Sequence, residues 1–282
     1  MTKKKIIEIK NCHDQYITSF KHYLEEIKKR DLIMSISSED NNIKIWDINK
    51  WKCILNFKAY ISIGYLNSVC FLNDENITYF ITNGFKKNNN YLGPMKIYNL
   101  KGQKIKEIHN SNEITFFLDT YYDKNYSKIY LVTGNRGFCQ SYDYNKNKIY
   151  RKYCNNGNFL FSGEVKNLII NNNKEIIRLI SSSSDGVIRI FDFYSGLFLN
   201  GIYIFNQELY GICLWNDNYL FVGCRDTTIK IIEINEGIII KSLSGHFDQT
   251  ATINKITHSK YGKYNILFTI FLLNIIIFLK PF

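Results

Sequence analysis

Ser181–Gly196, SSSSDGVIRIFDFYSG, is a small polar run, an Asp-Gly turn, an alternating strand that ends in an aromatic residue plus Asp, and a second turn. Asp hydrogen-bonds nearby backbone and Gly accepts positive φ, so Asp185-Gly186 suits a tight reversal between antiparallel strands. Ile188-Arg189-Ile190-Phe191 has the two-residue period of a strand with one buried face. The stretch therefore predicts a strand–turn–strand unit, and most of the chain repeats it.

Aligned on Phe191-Asp192, the dyad matches Trp46-Asp47, Tyr98-Asn99, Tyr142-Asp143 and Ile232-Glu233, at steps of about 52, 44, 49 and 41 residues. That spacing is near the period of four-stranded propeller blades. Six residues before the dyad stands Asp40, Asp185 or Asp226, while Leu92 and Arg136 hold that place in the two middle copies. Gly102, Asn147, Gly196 or Gly237 follows the dyad and marks the next hairpin.

Composition bounds the alternatives. The 282 residues contain two Pro and 16 Gly with no Ser- or Pro-rich linker, which favours one modular array over two domains. A chain of this length buries roughly three quarters of its unfolded surface, so a large core is available. The formal charge of +11 comes from Lys and Arg spread along the chain, with short clusters at Lys3–Lys5, Lys28–Arg30 and Lys86–Lys87. This dispersion argues against a nucleic-acid partner. Seven Cys, odd in number and without a C-x-x-C pair, suggest neither a zinc site nor a disulfide framework. The opening MTKKKIIEIK lacks the apolar run of a secretory signal, so the expected location is intracellular, in cytoplasm or nucleus.

The turn and dyad residues resemble the WD-repeat family of β-propellers. Gly245-His246 is the intact Gly-His of that pattern and Cys12-His13 a degenerate one. The resemblance spans residues 5–264. It implies an all-β propeller of four-stranded antiparallel blades, six favoured and seven the alternative. Five blades fall at 14–58, 61–108, 113–154, 159–204 and 208–243. The sixth combines 250–282 with 5–10, because KIIEIK before Cys12-His13 looks like IIIKSL before Gly245-His246; the N-terminal strand is thus expected to close the ring. The resemblance also implies a buried hydrogen-bonded network in which a loop His, the turn Asp, a strand hydroxyl and the dyad aromatic lock each blade. Its members here are His13, Asp40 and Trp46, with Ser35 or Ser37, and in other copies Asp185, Phe191, Asp192, Asp226 and His246. Residues 266–279 (ILFTIFLLNIIIFL) break the pattern. They are expected as two strands, with a membrane-associated tail or an altered C-terminus as the alternatives; as a helix they would span about 21 Å, short of a hydrocarbon core of about 30 Å.

No catalytic signature accompanies this scaffold. The five His have neither H-x-H nor H-E-x-x-H spacing, and no G-x-x-x-x-G-K-[ST] or G-x-G-x-x-G is present. The expectation is a non-enzyme with no cofactor and no metal. Variable loops on a rigid disc favour binding, with Phe85, Tyr91, Arg136 and Arg225 as contact residues on the loop face. The expected partner is a protein or peptide, with the chain a monomeric subunit of a larger complex. A peripheral membrane module using basic loops and the apolar C-terminal segment is the alternative, and an RNA-binding propeller the third reading.

Overall fold

A computed structural model describes residues 5–9, 12–15, 17–25, 27–37, 40–58, 69–86, 91–108, 115–170, 174–204, 206–215, 218–244, 252–257, 265–270 and 276–279. Side chains are described for these except 5–9, 84–86, 91–93, 155–170, 174–175, 252–257, 265–270 and 276–279. Regular structure among the described residues is all β-strand.

After β1 (Lys5–Ile9), a first antiparallel sheet contains β2 (Ser19–Glu25), β3 (Arg30–Ser37), β4 (Asn42–Asp47) and β5 (Lys52–Lys58). A second contains β6 (Val69–Asp74), β7 (Ile77–Lys86), β8 (Tyr91–Asn99) and β9 (Lys104–Ile108). The third has seven strands: β10 (Phe117–Asp123), β11 (Lys128–Gly134), β12 (Arg136–Asp143), β13 (Lys148–Ile170), β14 (Lys174–Ser183), β15 (Val187–Asp192) and β16 (Phe198–Tyr203). The fourth contains β17 (Leu209–Leu214), β18 (Tyr219–Cys224), β19 (Ile229–Glu233) and β20 (Ile238–Leu243). The last joins β21 (Thr252–Thr257), β22 (Asn265–Ile270) and β23 (Ile276–Leu279) to β1.

The architecture is an all-β propeller of five hydrogen-bonded blades, which corrects the expectation of six or seven. The physical reason lies in β13. Asn155-Asn156-Gly157-Asn158 reads as a break between blades 113–154 and 159–204, yet the backbone stays extended through it. The ladder passes from Arg136↔Phe159 with β12 to Leu160↔Ser183 with β14, so two expected blades are one sheet. The N-terminal strand joins the C-terminal sheet as expected, but closure of the ring through it is not shown. β1 lies at the far edge of the last sheet beside β23, in a register that shifts between Lys5 and Glu8. Between sheets, β2 packs on β6, β6 on β10, β13 on β17, β17 on β21, and β21 on β2, while β10 meets β13 within the seven-stranded sheet.

Core residues follow from the strand period. In β4 the side chains of Ile43 and Ile45 are buried with Trp46, and they pack with Met34 and Ile36 of β3 against Val69, Phe71 and Phe80 of the next sheet. Ile180, Ile188 and Ile190 meet Leu209, Leu220, Val222 and Ile232 in the same way between the third and fourth sheets. Each such side chain contributes about 1.5–3 kcal/mol on leaving water.

The dyad acids have a turn-capping role. Asp47 Oδ1 accepts the Asn49 N–H at 3.0 Å, Asp143 Oδ1 that of Lys146 at 2.9 Å, and Asp192 Oδ1 that of Ser195 at 2.7 Å. Asn99 Oδ1 accepts from Lys101 at 2.9 Å, and Glu233 Oε2 from Glu236 at 2.6 Å. A side-chain oxygen thus replaces a missing backbone acceptor in each third-to-fourth-strand turn.

Gly134 at the end of β11 lies against Phe117 of β10, its partner in the ladder. A Cβ there would fall inside the Phe117 ring. Gly134→Ala is expected to destabilise the fold by about 1–3 kcal/mol through overpacking. Thermal denaturation checks this: Phe117→Leu in the Gly134→Ala background should recover part of the loss, whereas an additive further loss would contradict the contact.

Candidate functional site

One end of the propeller is described at four of its turns and two of its connecting segments. That end gathers the β3–β4, β11–β12, β14–β15 and β18–β19 turns with the segments 12–15 and 206–208. In three of these turns an Asp accepts the N–H two residues on: Asp40 from Asn42 at 2.8 Å, Asp185 from Val187 at 3.3 Å, Asp226 from Thr228 at 3.1 Å.

The structure brings four of the network candidates of the first sheet together. Trp46 Nε1 donates to Ser35 Oγ at 2.8 Å, Ser35 Oγ lies 2.9 Å from His13 Nε2, and His13 Nδ1 lies 3.2 Å from Asp40 Oδ2. The indole can only donate and the carboxylate only accept, so with a neutral imidazole the chain has one direction. Trp46 N–H gives to Ser35, Ser35 O–H gives to His13 Nε2, and His13 Nδ1–H gives to Asp40. This requires neutral imidazole. Burial lowers the His13 pKa below its ordinary value, outweighing the opposing pull of Asp40. Asp40 Oδ2 also accepts the Asp14 N–H at 3.2 Å, so the connector is tied to the turn. Ser37 lies on the same face of β3, its Oγ 3.5 Å from the Asp40 N–H.

The other Asp turns are held differently. Asp185 pairs with Arg189 through both guanidinium nitrogens, at 3.0 and 2.5 Å. Asp226 pairs with Lys230 at 2.9 Å and takes the Thr228 hydroxyl at 2.6 Å. Burial would raise both carboxyls, and hydrogen bonds from these partners bring them below the ordinary Asp value. Phe191 is buried in the core and has no N–H to give, and Ser181, across from Arg189 as Ser35 is from Lys44, lies beside the Cys139 thiol. Asp192 caps the outer turn rather than joining Asp185. Arg189 and Lys230 escaped the sequence reading; the signal was a cation four residues after each turn Asp.

Arg225 is exposed and anchored: Nη1 donates to Glu208 Oε2 at 3.2 Å, and Tyr210 OH reaches the same oxygen at 2.7 Å. Arg136 opens β12 and is exposed. Phe85 and Tyr91 sit in the β7–β8 ladder, opposite Leu92 and Lys86, and their side chains lie outside the described residues. His246 also lies outside them.

Among the described residues no group of three or more His, Cys, Asp and Glu is placed to hold a metal ion, and no helix is long and apolar enough to cross a membrane. Burial pushes the Cys139 and Cys224 thiols up to about 12. Fold and turns define a β-propeller with a polar, loop-bearing end. No protein-family model matches the chain, and no curated protein matches its sequence.

Ser35 is the hinge of the network, since both Trp46 and His13 depend on its hydroxyl. Ser35→Ala is expected to cost about 2–3 kcal/mol, because two buried polar groups lose their partner, and to lower Tm by several degrees. A wild-type Tm would refute the network's contribution. For pH, the folded-state pKa of His13 is depressed, so its contribution is complete above the ordinary value of 6.5 and is lost as pH falls below it. Glu25 is held down to about 2, where burial alone would raise it, by hydrogen bonds from Arg30, Thr78 and Lys28; its contribution fades only below 4.5. Tm should therefore decline from about pH 7 to about 5 in the wild type and stay flatter in His13→Gln.

Proposed function

We propose that the chain is a WD-repeat propeller acting as a non-catalytic scaffold that docks a protein or peptide on its loop-bearing end. The His13–Ser35–Asp40–Trp46 chain supports the family reading, because it unites the four residue types of the resemblance in one blade. The observation that carries the docking reading is the construction of that end. Its turns are held by Asp-centred hydrogen bonds, so exposed Arg225 is presented on backbone that is already ordered. Little entropy is then lost when a partner binds, and Arg is a favoured interface anchor. The setting proposed is intracellular, with the propeller as one subunit of a larger complex.

Affinity purification of the full chain from its native cell, with chemical cross-linking and mass spectrometry, tests the reading. Cross-links to a partner are expected on residues 135–137, 184–186 and 225–228. Arg136→Ala combined with Arg225→Ala should reduce partner recovery at least tenfold at unchanged Tm, since single anchors contribute about 2 kcal/mol. Recovery unaffected by the double variant, or cross-links confined to the opposite end, would refute it.

A further inference from the structure

At the end opposite the Asp turns, the third-to-fourth-strand hairpins close on a residue in the left-handed region. That residue is Gly102 (φ 80°), Asn147 (52°), Gly196 (76°) or Gly237 (69°) in four of them. In the first sheet it is Trp51, at φ 52°. Gly and Asn suit this conformation and a bulky aromatic side chain does not. The backbone supplies no reason for Trp, which leaves the side chain as the reason.

Its surroundings are basic and apolar together. Trp51 is 38% exposed between Lys50 and Lys52. Asn49 Nδ2 donates to Lys29 O at 3.1 Å, which ties this turn to the neighbouring one, where Ile27 is 67% exposed. Of the described acids in these two turns, Asp47 caps its own turn and Glu25 is buried between Arg30, Lys28 and Thr78, while Glu26 lies outside the described residues. Lys50 lies 3.9 Å from Asp47 yet keeps 74% of its side chain in solvent. The third sheet repeats the arrangement, with Lys146 and Lys148 exposed beside Asn147 while Asp143 is buried in the turn. Tyr194 OH donates to Asp123 across the same end at 2.6 Å, so a second acid is engaged within the protein.

The chemistry selects a partner. Trp51 can stack on a nucleic-acid base, but the aliphatic tip Ile27 cannot, and paired hairpin tips are not a groove that tracks a phosphate chain. A bilayer surface takes every part: indole rings favour the headgroup boundary, an apolar tip enters it, and lysines are drawn to anionic lipid. We propose that this end docks on an anionic phospholipid bilayer, with Trp51 and Ile27 entering the headgroup layer and Lys29, Lys50 and Lys52 supplying the attraction. It lies opposite the proposed protein-docking end, so each reading stands or falls separately.

The full chain is sedimented with phosphatidylcholine vesicles, with and without phosphatidylserine, at low and physiological ionic strength. Binding is expected only with phosphatidylserine and should weaken as salt rises. Lys50→Gln and Lys52→Gln should each lower partitioning about fivefold. Trp51→Gly should lower it about tenfold, from lost apolar burial. Because Gly fits the left-handed backbone, relief of strain offsets what the partly buried indole contributes to its turn, and Tm should stay within a few degrees of wild type, which separates lost binding from lost fold; Trp51→Asn should behave alike. Absence of binding to phosphatidylserine vesicles, or wild-type partitioning of Trp51→Gly, overturns the proposal. Preferential binding of a single-stranded RNA homopolymer, weakened by the same substitutions, overturns it in favour of nucleic acid.

Discussion

Asp47, Asn99, Asp143, Asp192 and Glu233 each commit a side-chain oxygen to a backbone N–H in the turn that follows, and the rest of the structure depends on that constraint. A hairpin held at its mouth fixes the register of its outer two strands. With side chains alternating every residue, register decides which of them face the neighbouring sheet. Ile43 and Ile45, or Ile188 and Ile190, are buried because the reversal on which their strand pairs is pinned. A slip of one residue would turn Lys44 or Arg189 into the core instead.

The dyad was therefore legible for a physical reason: it joins a core residue to a turn cap, two demands on adjacent positions that composition alone cannot imitate. The His13–Asp40–Trp46 relation was legible because each member is chemically distinctive. β13 was not legible, since Asn155-Asn156-Gly157-Asn158 has turn composition and an extended backbone. Residues with low strand propensity remain extended when both flanks are already paired, here by Lys148–Cys154 with β12 on one side and by Phe159 with β12 and Leu160–Ile170 with β14 on the other. Arg189 and Lys230 were missed because a lysine or arginine on a strand is ordinarily a solvated residue. Only the facing carboxylate, four residues back across a turn, makes it structural.

The two ends of the propeller treat charge in opposite ways. At the Asp turns, acids meet a partner: His13 for Asp40, Arg189 for Asp185, Lys230 for Asp226. At the other end Asp47, Asp143 and Asp192 cap backbone N–H groups, while Lys50, Lys146 and Lys148 keep their charge in solvent. Sequence order hides this, because turns from both ends alternate along every sheet.

The shared strand β13 has a mechanical meaning. Where neighbouring sheets touch only through side chains, a ring can breathe by sliding one wedge past the next. Across β13 one continuous strand serves both neighbours, its first half pairing with β12 up to Phe159 and its second half with β14 from Leu160, so the two parts of the seven-stranded sheet are leashed by backbone. At the remaining seams no described strand is shared between sheets, so the ring is tied by backbone at one place and by packed side chains at the rest.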